Sequence, residues 1–131
     1  MVEAHDVDVV RRLYQAVADR DLEAAGACFA AEAVWVLPGS SSLAGTHRGW
    51  PSIRDDFLAK IGPLSGGTLS VRLLDVCVGD QYVVAVQHAT AEHEGRTLDV
   101  TGCQLMRVQD GQIIEVRGHY SDERALDDFW P

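Results

Sequence analysis

The dipeptide Asp110-Gly111 sits between two runs of alternating apolar and polar residues, 96–108 and 112–122, and no other feature constrains the fold as much. Asp-Gly at such a junction predicts a tight hairpin, because the turn needs positive φ, which Gly adopts without steric cost. The same pattern recurs upstream, where residues 69–78, the turn Gly79-Asp80, residues 81–92 and the turn Glu94-Gly95 lead into Arg96. Strands joined in series by short turns predict an antiparallel meander.

Before the meander the period changes. Val9, Val10, Leu13, Tyr14 and Val17 recur at three- and four-residue intervals and predict an amphipathic helix starting at Asp6. Asp21 is placed to cap a second short helix, with Leu22, Ala25, Cys28 and Phe29 turned inward. Residues 33–37, closed by Pro38-Gly39, read as a strand, and 39–49 as a Ser- and Gly-rich surface loop. Pro51 suits the first turn of a third helix carrying Ile53, Phe57, Leu58 and Ile61, which Gly62, Pro63 and Gly66-Gly67 bring to an end. Residues 125–130 predict a short terminal helix or turn. Helices first and an antiparallel sheet afterwards is an α+β order, with the helices covering one sheet face.

One domain accommodates all 131 residues, and 47% hydrophobic content supplies a single core. A net charge of -9 repels a phosphate backbone, so nucleic acid is not expected as a partner. No run approaches the ~20 apolar residues that span a bilayer, and residues 1–14, which contain Glu3, Asp6 and Asp8, do not read as a secretory leader. A cytoplasmic protein is the expectation. Cys28, Cys77 and Cys103 are widely spaced without a C-x-x-C pair and read as buried free thiols. Neither a metal site nor a cofactor is expected, since His47, His88, His93 and His119 fall on different faces or loops and no Gly-rich phosphate loop follows a strand.

Several stretches together resemble one superfamily: Val10 to Leu22 running into Phe29-Ala30-Ala31-Glu32-Ala33-Val34-Trp35, then Leu43-Ala44-Gly45-x-x-Arg48-Gly49, Arg107-x-x-Asp110-Gly111-x-Ile113-x-Glu115, and Tyr120-x-Asp122. They are similar to the nuclear-transport-factor-two-like superfamily, which includes ketosteroid isomerase, limonene epoxide hydrolase and SnoaL-type polyketide cyclases. The resemblance implies a cone-shaped curved antiparallel sheet packed around three N-terminal helices, a cystatin-like roll, with a pocket inside the cone. It is specific for fold and poor for function, because this fold carries isomerases, dehydratases, hydrolases, cyclases and binding proteins.

Within that frame, alternation along each strand predicts the pocket lining. The inward sets are Trp35 and Leu37; Tyr82, Val84, Val86, His88 and Thr90; Val100, Gly102, Gln104 and Met106; and Ile114, Val116, Gly118 and Tyr120. Laid along the superfamily's pattern, the positions implied for catalytic carboxylates hold Leu37, Gln104, Val86 and Gly118. The steroid-isomerase base is therefore missing, and so is the paired-acid machinery of the hydrolases. The polar groups expected inside are His88, Gln104, Tyr120 and Thr90, joined by Tyr14 from the first helix and by His47 and Trp50 from the loop; Asp122 stands at the rim or caps the tail helix.

Two main readings follow. In one, a cofactor-independent isomerase, cyclase, dehydratase or hydrolase acts on a small hydrophobic oxygenated metabolite, with His88 moving a proton and Tyr120, Gln104 or Tyr14 holding a developing oxyanion. In the other, a non-catalytic small-molecule binding or accessory protein keeps the cone and has lost the carboxylates. A third reading, a subunit that presents its sheet to another protein, holds if Trp35 and Trp50 fill the pocket. Cys77, Cys103 and Leu105 form an outward apolar row, expected either to pack a homodimer or to lie under the 125–130 tail.

Overall fold

The computed structural model describes residues 6–131. The leader reading of residues 1–14 therefore falls partly on residues 1–5, outside the described residues. Helix α1 (Asp6–Ala18) buries Val9, Val10, Leu13 and Ala16 along one stripe. The short α2 (Leu22–Gly26) is capped by Asp21, whose carboxylate accepts the Ala24 N–H at 2.9 Å. The third helix, α3, covers residues 50–64; its middle, Ile53–Leu58, is wound as a π-helix. The wider winding turns the consecutive Phe57 and Leu58 to the same interior.

Among the described residues the sheet has six strands: β1 (Phe29–Leu37), β2 (Gly45–Arg48), β3 (Ser70–Val78), β4 (Val83–His93), β5 (Arg96–Gln109) and β6 (Gln112–Tyr120). Their order is β2-β1-β6-β5-β4-β3. The predicted meander is β3 to β6, and both of its later turns are tight, with Glu94 and Gly95 at φ 52° and 79° and Asp110 and Gly111 at 52° and 77°. Positive φ at both central residues is the signature of the I′ hairpin turn. Two features depart from the sequence reading. Part of the 39–49 loop is a strand, β2, antiparallel to β1, and β1 joins the sheet parallel to β6. The β1–β6 pairing joins segments far apart in the chain, which local patterning does not encode, and the Ser- and Gly-rich composition of 39–49 conceals β2.

Helix α4 (Glu123–Phe129) is capped by Asp122, which accepts the Ala125 N–H at 3.3 Å. Its Asp127 takes the Ser40 and Ser41 N–H groups at 2.8 and 3.2 Å and the Ser40 hydroxyl at 3.2 Å. The β1–β2 loop is thus strapped to the chain's end. Leu126 and Trp130 face the inside of the cone, so the tail does not cover the outer row of Cys77, Cys103 and Leu105. Cys28 alone of the three thiols is buried; Cys77 is exposed and Cys103 half-buried, because both point from the outer sheet face. Among the described residues no helix is long and apolar enough to cross a membrane.

Candidate functional site

The cone holds a partly open cavity of about 80 Å³, several times the space one water requires. Leu13, Tyr14 and Val17 of α1 form one wall and Phe57, Leu58 and Ile61 of α3 another. The sheet contributes Trp35 and Leu37 from β1, Gln87 and Ala89 from β4, Leu98, Gln104 and Met106 from β5, and Tyr120 from β6. Leu126 and Trp130 of the tail complete the lining. The lining is mainly apolar with a few polar anchors, the usual make-up of a small-molecule site.

Those anchors form two pairs. Tyr14 donates its hydroxyl to Gln87 Oε1 at 2.5 Å, and Gln104 Nε2 donates to Tyr120 Oη at 2.9 Å. The second pair leaves Gln104 Oε1 buried with no hydrogen-bond partner among the described residues, and Trp35 Nε1 is in the same condition. One unspent acceptor and one unspent donor therefore belong to side chains of the cavity wall, where leaving them unmet costs about 1–3 kcal/mol each. Burial pushes the Tyr14 phenol far above its ordinary range, helped by the neighbouring Tyr120 and Cys103. Burial also raises Tyr120, partly offset by the hydrogen bond from Gln104. Both are neutral hydroxyls at physiological pH.

These shifts have a sign that can be tested. A tyrosine whose native pKa lies above its unfolded value of about 10 keeps its proton when the unfolded chain gives it up. Its contribution to stability is complete below about pH 10 and drains away as pH rises beyond it. Tyr14→Phe is expected to lose about 1–3 kcal/mol at neutral pH, because Gln87 Oε1 loses its donor, yet to decline less steeply above pH ~10. Urea melts of both proteins across that pH range would measure it; parallel alkaline slopes would refute it.

Glycines shape the polar corner. A Cβ built on Gly102 would lie 2.7 Å from Tyr120 Cδ1, and one on Gly118 would lie 2.9 Å from Tyr120 Cε2 and 3.0 Å from Gln104 Oε1. The Tyr120 ring therefore occupies room that two absent side chains leave free. Gly118, where the resemblance implied a carboxylate, serves the site by having no side chain.

Of the residues expected in the pocket, Tyr14, Trp35, Leu37, Gln104, Met106 and Tyr120 line the cavity. Val116 is fully buried beside them. The β4 set is corrected. His88 stands on the outer face, its Nε2 2.6 Å from Asp99 Oδ1, and Val86, Thr90, Val84 and Tyr82 share its side of the strand; Val83, Ala85, Gln87 and Ala89 are the buried ones. The cause is the tight Glu94-Gly95 turn. It sets His93 opposite Arg96, so directly opposed residues on β4 and β5 have opposite number parity, and the inward Gln104 and Val100 face Ala85 and Ala89. Gln87 is the residue that sequence reasoning missed, and that register was the available signal.

Ile114 is also corrected. A bulge at Arg107/Val108 sends Ile113 into the core, while Ile114 joins Val34, Val36 and Arg117 around an outer groove. His47 is buried in β2, Nε2 2.8 Å from Leu43 O and its ring stacked on Phe57, away from the cavity. Trp50 stacks on Phe29 with ring centroids 5.4 Å apart and abuts Gly26, so it belongs to the core beneath α2. Asp122 is spent as the α4 cap. Among the described residues no cluster of three or more His, Cys, Asp or Glu is placed to hold a metal ion.

Comparison with known proteins agrees with this architecture. The SnoaL-like domain pattern matches residues 10–116. An uncharacterised protein of Mycobacterium tuberculosis is 34% identical over 99% of each chain. Bal32a, from a soil-derived mobile gene cassette, superposes with a TM-score of 0.92 at 34% identity over 97% of each chain. TerC, crystallised with polyporic acid, shares the fold with a TM-score of 0.84 at 21% identity, over 96% of this chain and 98% of its own. The chain shares its fold with an NTF2-like protein of Burkholderia xenovorans, with a TM-score of 0.82 at 22% identity over 100% of this chain and 99% of that one, and it belongs to the SnoaL-like family.

Proposed function

We propose that the protein binds a small, mainly apolar molecule carrying a hydroxyl or carbonyl group, and that it does so without proton-transfer chemistry at neutral pH. The observation that carries this reading is the cavity wall itself. Among the described residues its polar groups are two tyrosines held neutral, two glutamines and two indole N–H groups, with no carboxylate, histidine or lysine. General acid-base catalysis needs a group that titrates near the working pH, and a tyrosine raised by burial is far from it. Neutral hydrogen-bonders suit binding: Trp35 Nε1 donates to a ligand oxygen and Gln104 Oε1 accepts from a ligand hydroxyl. The crystallisation of TerC with polyporic acid supports the view that this fold takes up organic ligands.

Titration calorimetry with 2-naphthol and with naphthalene, its parent without the hydroxyl, tests the proposal. 2-Naphthol is expected to bind more tightly by about 0.5–1.5 kcal/mol, the net worth of a neutral hydrogen bond. His88→Ala is expected to bind it as the wild type does, since His88 faces outward onto Asp99. Loss of binding in His88→Ala, or no preference for the hydroxyl, would count against the reading.

A further inference from the structure

A second hollow, of about 340 Å³, opens between α1, α2, the end of α3 and the start of β3. Val17, Leu58, Ile61, Leu69 and Val71 line both it and the interior cavity, so the two hollows adjoin along that apolar row. The groove therefore adjoins the cavity on its α1–α3 side.

Arg20 stands in the wall of this groove and is its only basic residue among the described ones. It occupies the turn between α1 and α2 at φ 55°, a left-handed position where glycine is the unstrained choice. From there its guanidinium reaches across to donate to the Gly67 carbonyl on the far rim. That bond uses one of five N–H donors, and the planar fork that remains fits a carboxylate. The acid in the same wall, Asp21, is spent capping α2, and Asp19 beside Arg20 accepts from Gln15 Nε2 at 3.0 Å. The Ser70 hydroxyl adds a donor on the β3 side. Both carboxylates, Asp19 and Asp21, keep their charge, so what Arg20 offers an anion is a directed fork of N–H donors rather than a net positive field.

We infer that the ligand is an elongated carboxylic acid, its apolar body in the cavity and its carboxylate held by Arg20 in the groove. This rests on the binding function proposed above and names the class of molecule it takes. Calorimetry with decanoate and with decan-1-ol, equal in chain length but differing in charge, tests it on the full-length protein. Decanoate is expected to bind about tenfold more tightly. Arg20→Gln is expected to bring the ratio of the two dissociation constants near one, Arg20→Lys to keep part of it, and Ser70→Asp to lower it by repulsion. A thermal melt of each variant checks that it is folded. Equal binding of the two ligands by the wild type, or an undiminished ratio in Arg20→Gln, overturns the inference while leaving the cavity reading intact. Failure of decanoate to bind a protein that still takes 2-naphthol does the same, whereas failure of all three ligands removes both.

Discussion

Gly102→Ala is expected to cost about 3 kcal/mol of stability, the upper part of the range for forcing atoms into a filled interior. Gly102 is opposite Tyr120 in the β5–β6 ladder. A Cβ there would sit 2.6 Å from the His119 carbonyl oxygen as well as 2.7 Å from the Tyr120 ring. A backbone oxygen within a ladder cannot retreat without loosening the strand pairing that holds it. Gly118→Ala meets only side-chain atoms, Tyr120 Cε2 and Gln104 Oε1, so its stability cost is expected to be smaller even though it pushes on the same polar pair. Urea denaturation of both variants measures the difference; a Gly102→Ala protein as stable as the wild type would mean that Tyr120 does not lie against β5 as described.

Much of the fold was legible because it is written in local chemistry. The Asp110-Gly111 and Glu94-Gly95 turns, the Asp21 cap and the α1 stripe each need only a few neighbouring residues to act. The strand β2 was not legible because the Ser- and Gly-rich composition of 39–49 reads as a loop, and the parallel β1–β6 pairing was not because Trp35 meets Val116 through a contact that no short window contains.

The candidate site was half legible, for a physical reason. Alternation gives two faces to a strand but does not say which is inside, so each strand needs an external reference. For β6 the inward assignment of Gly118 and Tyr120 opposite Gln104 and Gly102 holds because of a bulge: the tight Asp110-Gly111 turn alone would have opposed Gln104 to Arg117, and the extra β6 residue, Ile114, facing the Arg107–Val108 step, restores Gly118. For β4 there is no bulge against β5, so the turn's own register prevails and His88 goes outside. Gln87 and Ala89 take the inward places.

Ala89 is where the second large effect is expected. It lines the cavity between Val71 and Val100 on the neighbouring strands and is almost fully buried. Ala89→Leu projects three further carbons into a space of about 80 Å³. Filling an apolar cavity is commonly neutral or mildly stabilising, so the variant is expected to stay within about 1 kcal/mol of the wild type. Its affinity for 2-naphthol is expected to fall by about a hundredfold or more, equivalent to some 2.7 kcal/mol. Stability and binding should therefore separate, which distinguishes a filled cavity from a damaged fold.

The Trp35 indole N–H resonance, followed by NMR as 2-naphthol is added to the wild type and to Ala89→Leu, reads the cavity from inside. A saturable shift of that resonance in the wild type, absent in Ala89→Leu, is the expected result, because Trp35 Nε1 is a buried donor of the wall without a partner of its own. A silent Trp35 with shifts gathered instead around His88 and Asp99 on the outer face would contradict it.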